Sequence, residues 1–192
     1  ARSAEYETLP LQWLPHVQVA DVADSAARAI ELGGKEVMHA KGDDGRSQWA
    51  VLVDPSGAGF GLVPVVPDES IAANRSGDVG SIAWLTLTVP DVLPTREFYE
   101  QVVGWSAVPA GVEGEFEMRR PDGASSAEIC HARSDNEDIP PVWILSLLVG
   151  DLEESLRRAR EGGGEVAKMS TDRRYAVIRD LVGVCFALQA KE

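Results

Sequence analysis

The side chains best placed for chemistry in this 192-residue chain are Glu128, Cys130 and His131, which stand together at the end of an apolar run. A carboxylate whose pKa is raised by burial can act as a general base, or it can accept a hydrogen bond from a bound molecule. Side chains of a β-strand alternate between two faces, so Glu128 and Cys130 share one face and His131 takes the other. Glu128 is therefore the one candidate for a catalytic residue, and the catalytic residues are otherwise unassigned. The alternative is an edge-strand carboxylate in water.

Other kinds of catalysis find little support in the sequence. The chain has no nucleophile with an adjacent base, no glycine-rich phosphate loop and no Cys-x-x-Cys pair. Cys130 and Cys185 lie in apolar, strand-like runs, which indicates buried thiols rather than a disulfide framework. Of the histidines, His131 is expected to hydrogen-bond a loop and His39 to lie on an outer strand. His16 is expected either to pack or lie partly exposed, or to face a binding cup formed with a further module.

The charge of the chain limits its partners. Its 31 acidic and 18 basic residues give a net charge of −13, which repels nucleic-acid phosphates and anionic lipid surfaces alike. No run of about 18 apolar residues and no signal-peptide pattern occurs. These features predict a soluble cytoplasmic protein with no nucleic-acid partner and no membrane partner.

An internal repeat organises the elements that carry these residues. Trp13 aligns with Trp143 at an offset of 130 residues, and a shorter turn in the later copy then changes the offset to 126. Glycine, proline and tryptophan are hard to exchange for backbone and packing reasons, so their repeated match indicates a duplicated fold. The matched pairs are Pro10 with Pro140, Asp21 with Asp151, Ser25 with Ser155, Gly33-Gly34 with Gly163-Gly164, Ala50 with Ala176, Asp54 with Asp180, Gly57 with Gly183 and Phe60 with Phe186.

Each copy follows the order βαβββ. An alternating strand leads to an aspartate at the N-cap of an amphipathic helix, and a glycine supplies the positive φ at the end of that helix. Three strands follow. A copy in the middle of the chain repeats the order, with a strand at 82–89, Asp91 as the cap, a helix at 96–103 and strands near 106–108, 115–119 and 126–131. The fold class is therefore α+β, with three tandem βαβββ modules.

The polar, turn-rich stretch 67–78 is predicted to link two units. Residues 1–66 form a single half-module, and residues 79–192 form a two-module domain. The opening Ala1-Arg2-Ser3 matches Ala132-Arg133-Ser134, which lies at the boundary between the middle copy and the last copy. We therefore expect the partner module of the first copy to be missing ahead of Ala1. A lone module leaves an open face and edge, which favours a homodimer.

Four short pieces of sequence resemble the glyoxalase-like domain of the vicinal oxygen chelate superfamily, which includes glyoxalases, bleomycin-resistance proteins and extradiol dioxygenases. The pieces are residues 84–91, residues 98–105, the two glycine pairs and residues 50–58. The resemblance spans nearly all of residues 9–190. It implies that paired modules form cup-shaped mixed sheets with helices outside, and that the cup holds either a metal with its substrate or a bound drug.

The resemblance also locates the metal ligands to expect. The family commonly places a first ligand seven residues before the cap aspartate, where this chain has Leu14, Trp84 and Ile144. The last-strand ligand position reads Gly61 and Ala187 in the outer copies. None of these side chains coordinates a divalent ion. The sequence therefore predicts no metal and no other cofactor.

Three functions stay open. The first is a metal-free protein of the bleomycin-resistance kind that binds a small organic molecule. The second is a metal-dependent lyase, isomerase or dioxygenase whose ligands lie off the usual positions or in a missing module. The third is a structural or interaction module whose cup is filled by side chains, an idea that the bulk of Trp84 favours. The expected ligand-binding residues are Trp84, Thr86, Glu128, Ser146, Cys185 and Ala187.

Overall fold

The structure, a computed structural model, describes residues 11–66, 77–133 and 136–191. Its three helices lie among twelve strands. The first module contains β1 (His16–Val19), α1 (Val22–Glu31), β2 (Lys35–Lys41), β3 (Ser47–Val53) and β4 (Gly59–Pro64). The middle module contains β5 (Ile82–Val89), α2 (Val92–Val103), β6 (Ser106–Pro109), β7 (Phe116–Arg119) and β8 (Ser125–His131). The last module contains β9 (Trp143–Val149), α3 (Leu152–Glu161), β10 (Glu165–Met169), β11 (Tyr175–Arg179) and β12 (Cys185–Ala190).

The strands form two mixed sheets, as the α+β class of tandem βαβββ modules predicts. The first module makes a four-stranded sheet in the order β1-β4-β3-β2. The other two modules share an eight-stranded sheet in the order β10-β11-β12-β9-β5-β8-β7-β6. They meet where β5 and β9 pair antiparallel, and the first strand of each module pairs parallel with its own last strand.

Strand register confirms the repeat that the sequence indicates. His16 pairs with Gly61 in the first module, and Ser146 pairs with Ala187 in the last. His16 and Ser146 are 130 residues apart, and Gly61 and Ala187 are 126 residues apart, which are the two offsets that the sequence predicts. The glycines expected to end the outer helices, Gly33 and Gly163, have φ of 90° and 85°, a backbone region that side chains disfavour.

Two of the three expected helix caps are formed. The side chains of Asp21 and Asp151 each accept a hydrogen bond of 2.9 Å from the backbone N–H three residues later. Asp91 stands at the same place but makes no such bond, so its expected capping role is corrected. Helix α2 also begins at Val92, before the expected Arg96, because Pro94 falls in the first turn, where no intrahelical N–H is needed.

The main core lies between the two sheets, where α1 and α2 pack against each other. It combines apolar residues of the first module, such as Phe60, with Phe98 and Tyr99 of α2 and Trp143 of β9. Strand pairing thus separates the first module from the other two, whereas side-chain packing joins them. The expected linker falls largely on residues 67–76, and Pro10 and the Ala1-Arg2-Ser3 motif fall on residues 1–10, all outside the described residues.

Two further observations concern the length of the first strand and the length of the helices. The first strand covers His16–Val19 only, shorter than the alternating run 13–20 that suggested it. Among the described residues, no helix is long and apolar enough to span a bilayer.

Candidate functional site

The six expected ligand-binding residues lie on one face of the eight-stranded sheet. Register shows this directly, because Thr86 pairs with Glu128 on one side, and Trp84 pairs with Ser146 on the other. Ser146 in turn pairs with Ala187, and Cys185 lies two residues earlier on the same strand. Paired and alternate residues point to one side of a sheet, so the six side chains share one face.

The half of this face that belongs to the last module is covered from within the chain. Ile139 and Val142, in the segment that leads to β9, pack with Ile144, Cys185 and Ala187 in one apolar cluster. Cys185 and Ala187 are each only 2% exposed. A hydrogen bond from Lys168 Nζ to Asn136 Oδ1 ties the same segment to β10.

The half that belongs to the middle module stays partly open. Trp84, Thr86 and Glu128 are all half-buried there. The Cys130 thiol and the Trp84 indole lie beside the Glu128 carboxylate and favour its charged form. The open part of the face therefore presents an aromatic ring, a hydroxyl and a carboxylate side by side.

Electrostatics at this site set Glu128 apart from its neighbours. Burial raises the pKa of the Glu128 carboxyl, and the nearby Glu115 charge raises it further. Burial likewise raises the pKa of the Cys130 thiol, with Glu128 and Glu115 adding to the effect. Glu117, on the same face, behaves in the opposite way, because hydrogen bonds from Ser125 and Arg119 lower the pKa of its carboxyl. Glu128 is thus held closer to protonation than Glu117.

Glu115 is a member of this site that sequence reasoning missed. One ligand atom each from Glu115, Glu128 and Cys130 lies within 4.8 Å of the other two. Glu115 precedes β7, and Glu117 of that strand pairs with Glu128. The alternation from Glu117 back to Glu115 was the available signal, since the two residues share a face once β7 is placed beside β8.

The residues on this face do not fit the metal arrangement expected of the resemblance. The first-strand positions hold Leu14, Trp84 and Ile144, whose side chains do not bind a metal. The three possible donors, Glu115, Glu128 and Cys130, therefore all come from the middle module. Those donors mix two hard carboxylates with a soft thiol. A thiol must lose its proton to bind a metal, and its surroundings disfavour that loss here.

The histidines lie away from the open part of the cup. His16, on the concave face of the four-stranded sheet, holds its ring against Gly61 and bonds the Leu14 carbonyl through Nδ1 at 3.0 Å. His39 on β2 contacts Glu36 and Ser47. Within the part of the chain that is described, the buried Nδ1 of His131 has no hydrogen-bond partner, so the expected loop hydrogen bond is not formed through that atom.

Comparison with known proteins gives consistent results. A family described as glyoxalase-like domain matches residues 84–189. The chain is 27% identical over 165 residues to the anthracycline biosynthesis protein DnrV of Streptomyces peucetius, and 27% identical over 169 residues to DauV of Streptomyces sp. strain C5. Each alignment covers 85% of this chain but 59% of the relative, so the chain spans little more than half the length of these relatives.

Several solved structures share this fold. A glyoxalase I mutant from Zea mays matches with a TM-score of 0.53 and 17% identity, over 96% of this chain and 69% of its own. A variant of homoprotocatechuate 2,3-dioxygenase from Brevibacterium fuscum matches with a TM-score of 0.54 and 15% identity, over 93% and 54%. The Mn(II)-bound glyoxalase of Novosphingobium aromaticivorans matches with a TM-score of 0.53 and 12% identity, over 88% and 58%. At these identities the likeness concerns the fold alone.

Proposed function

Because this chain belongs to the glyoxalase-like domain family of the vicinal oxygen chelate superfamily, we propose that it binds a small organic molecule in the cup of its eight-stranded sheet, without a metal. The binding site is the open half of the cup, around Trp84, Thr86 and Glu128. Ser146, Cys185 and Ala187 form the floor beside it, under the covering segment.

The observation that carries this proposal is the position of the Trp84 indole beside the Glu128 carboxylate on one half-buried face of the sheet. The indole offers an aromatic face that a flat ligand can stack against. The carboxylate has further lone pairs that accept hydrogen bonds from ligand hydroxyl groups. An apolar surface with a few converging polar groups is the usual form of a small-molecule site.

We further propose that the ligand is a planar, hydroxylated polycyclic aromatic molecule. The relatives DnrV and DauV are named for anthracycline biosynthesis, and anthracyclines have this chemical form. A flat ring system matches the Trp84 plane, and a ring hydroxyl matches Glu128. If the molecule is chemically changed rather than only held, Glu128 is the proposed base, because its raised pKa brings it closer to neutral pH than a free carboxylate.

Titration with quinizarin, a dihydroxyanthraquinone, tests this proposal, with binding followed by calorimetry and by ligand absorbance. Trp84→Ala and Glu128→Gln should each weaken binding by about tenfold, through lost stacking and a lost hydrogen bond to a charged acceptor. Trp49→Ala on β3 is the matched control, because Trp49 lies on the four-stranded sheet. Testosterone, a tetracyclic molecule without the flat aromatic system, should bind more weakly. Failure of quinizarin and related anthraquinones to bind would favour a cup filled by side chains.

A metal-dependent lyase, isomerase or dioxygenase is the second candidate, and the grouping of Glu115, Glu128 and Cys130 is the observation in its favour. Metal analysis of the purified protein, followed by titration with Mn²⁺ and Zn²⁺, separates the two candidates. Our proposal predicts quinizarin affinity that EDTA does not change. Stoichiometric metal that is lost in both Glu128→Gln and Cys130→Ser would establish the second candidate instead.

A further inference from the structure

A shallow apolar depression beside α3 has no function in the proposal above. This α3 groove lies between the end of the helix and the turn that joins β11 to β12. Leu181 and Val182 at its rim are 76% and 62% exposed. The groove is lined by Ala159, Gly162, Gly164, Ile178, Asp180, Leu181, Val182 and Phe186.

The corresponding surface of the first module is buried at Gly34, Asp54 and Phe60. At the repeat offsets, Gly34, Asp54 and Phe60 correspond to Gly164, Asp180 and Phe186, and helix α2 fills the space over them. The Phe98 and Tyr99 rings make edge-to-face contacts with Phe60, at centroid distances of 5.9 and 5.4 Å. A Cβ placed on Gly34 would come within 3.3 Å of the Phe98 ring. One aromatic pair thus occupies the first-module version of the groove.

The two aspartates show the same contrast atom by atom. Oδ1 of Asp54 and of Asp180 each accept backbone N–H bonds that close the following turn. Oδ2 of Asp54 accepts the Tyr99 hydroxyl at 3.0 Å. No donor to Oδ2 of Asp180 occurs within residues 11–66, 77–133 and 136–191, although this oxygen belongs to a residue that lines the groove.

Within the described residues, Trp13 and one edge of β1 also lack the contacts that their counterparts in the last module make with the middle module. Trp143 is 1% exposed and donates its indole N–H to the Tyr99 hydroxyl at 3.0 Å, whereas its counterpart Trp13 is 46% exposed. Strand β9 pairs with β5 on its outer edge, whereas the corresponding edge of β1 is free in the described structure. The middle module contacts the rest of the chain at three places. At the repeat offsets, these places correspond to the groove, to Trp13 and to the β1 edge.

We propose that the α3 groove docks the helix of a further βαβββ module of the middle type, with aromatic side chains at the positions of Phe98 and Tyr99. The tyrosine hydroxyl of that helix bonds Oδ2 of Asp180, and its aromatic pair packs on Phe186. The same module has the correct form to pair with β1 and to cover Trp13. This inference does not depend on the identity of the cup ligand.

A stapled peptide that copies residues 91–105 provides the test. A lactam between Glu97 and the Lys of Gln101→Lys, both on the exposed side of α2, holds the helix, which is too short to be stable alone. Binding to the intact ¹⁵N-labelled chain is followed by amide shifts. We expect saturable shifts at Gly164, Asp180 and Phe186. The peptide with Phe98→Ala should bind at least about tenfold more weakly, because it loses the larger share of buried aromatic area.

A double-mutant cycle examines the proposed hydrogen bond. Asp180→Asn keeps Oδ1 and the turn but replaces Oδ2 by an amide donor. Tyr99→Phe in the peptide should weaken binding to the unmodified chain by about tenfold, and binding to the Asp180→Asn chain by less than about twofold. Absence of groove shifts, or equal losses in both chains, overturns the proposal. So does a dimer of the chain that buries the groove and is dispersed by Leu181→Asp, since the face is then an interface between copies.

Discussion

The hydroxyl of Tyr99 lies 3.0 Å from Oδ2 of Asp54, and this buried hydrogen bond joins the middle module to the first. The same hydroxyl accepts the indole N–H of Trp143 at 3.0 Å. Burial raises the pKa of both the Tyr99 phenol and the Asp54 carboxyl. The three groups form a continuous chain of donors and acceptors in which each satisfies the next.

Replacing Tyr99 by phenylalanine should destabilise the protein by about 3 kcal/mol, because one buried acceptor and one buried donor lose their partner together. Urea unfolding followed by tryptophan fluorescence and by circular dichroism measures the change. Tyr175→Phe is the matched control, since no described residue hydrogen-bonds the Tyr175 hydroxyl, and it should cost little. A Tyr99→Phe protein as stable as the Tyr175→Phe protein would show that the buried chain contributes nothing net.

The helix caps allow a comparison among three aspartates at the same position of the repeat. Asp21→Ala and Asp151→Ala should each lower the free energy of unfolding by about 1 kcal/mol, because each removes a side-chain bond to a free backbone N–H. Asp91→Ala should cost only a few tenths of that value, since Asp91 makes no such bond and retains only a favourable charge near the helix start. Equal losses at all three positions in thermal unfolding would contradict this assignment.

The periodic parts of the fold could be predicted from sequence. Alternation and β-branched residues placed β5 at 82–89, as observed, and most other strands within one or two residues. Helix ends were predictable where a special backbone conformation was needed, as at Gly33 and Gly163. The helix expected at 96–103 begins four residues earlier, at Val92, because the first turn of a helix tolerates Pro94.

The details of the site depend on contacts that periodicity does not encode. The face of Glu128 followed from alternation, but its closeness to Glu115 depends on how β7 aligns with β8. The cover that Ile139 and Val142 place over Cys185 comes from an irregular segment with no repeating pattern. Such contacts are set by tertiary packing.

Gly61 and His16 are expected to be coupled through space. A Cβ on Gly61 would lie 2.3 Å from Cδ2 and 2.7 Å from Cγ of the His16 ring, so the ring must swing away in Gly61→Ala and lose its bond to the Leu14 carbonyl. We expect a loss of about 1 kcal/mol in the free energy of unfolding. The double variant with His16→Ala should recover most of it. If the two effects simply add, the ring does not occupy the space over Gly61.

Glu128→Gln should stabilise the folded protein at neutral pH, and the gain should shrink in acid. The folded-state pKa of Glu128 is raised, so the folded protein binds this proton more readily than the unfolded chain. The favourable contribution of the protonated carboxyl is therefore complete below the unfolded value near 4.5 and is lost as the pH rises through the folded pKa. Glutamine carries no charge to desolvate or to repel Glu115. Because the side chain is partly exposed, we expect at most about 1 kcal/mol at pH 8.

Urea midpoints of the unmodified and Glu128→Gln proteins at about pH 8 and pH 4 measure this difference, and Glu117→Gln provides a control of opposite sign. The pKa of Glu117 is lowered, so its ionised form contributes stability above the unfolded value near 4.5 and loses it as the pH falls. Glu117→Gln should therefore be less stable than the unmodified protein at pH 8 and approach it in acid. A Glu128→Gln protein that also loses stability at pH 8 would mean that the Glu128 charge is favourable in the cup, and the raised pKa proposed for a base at this position would then have no support.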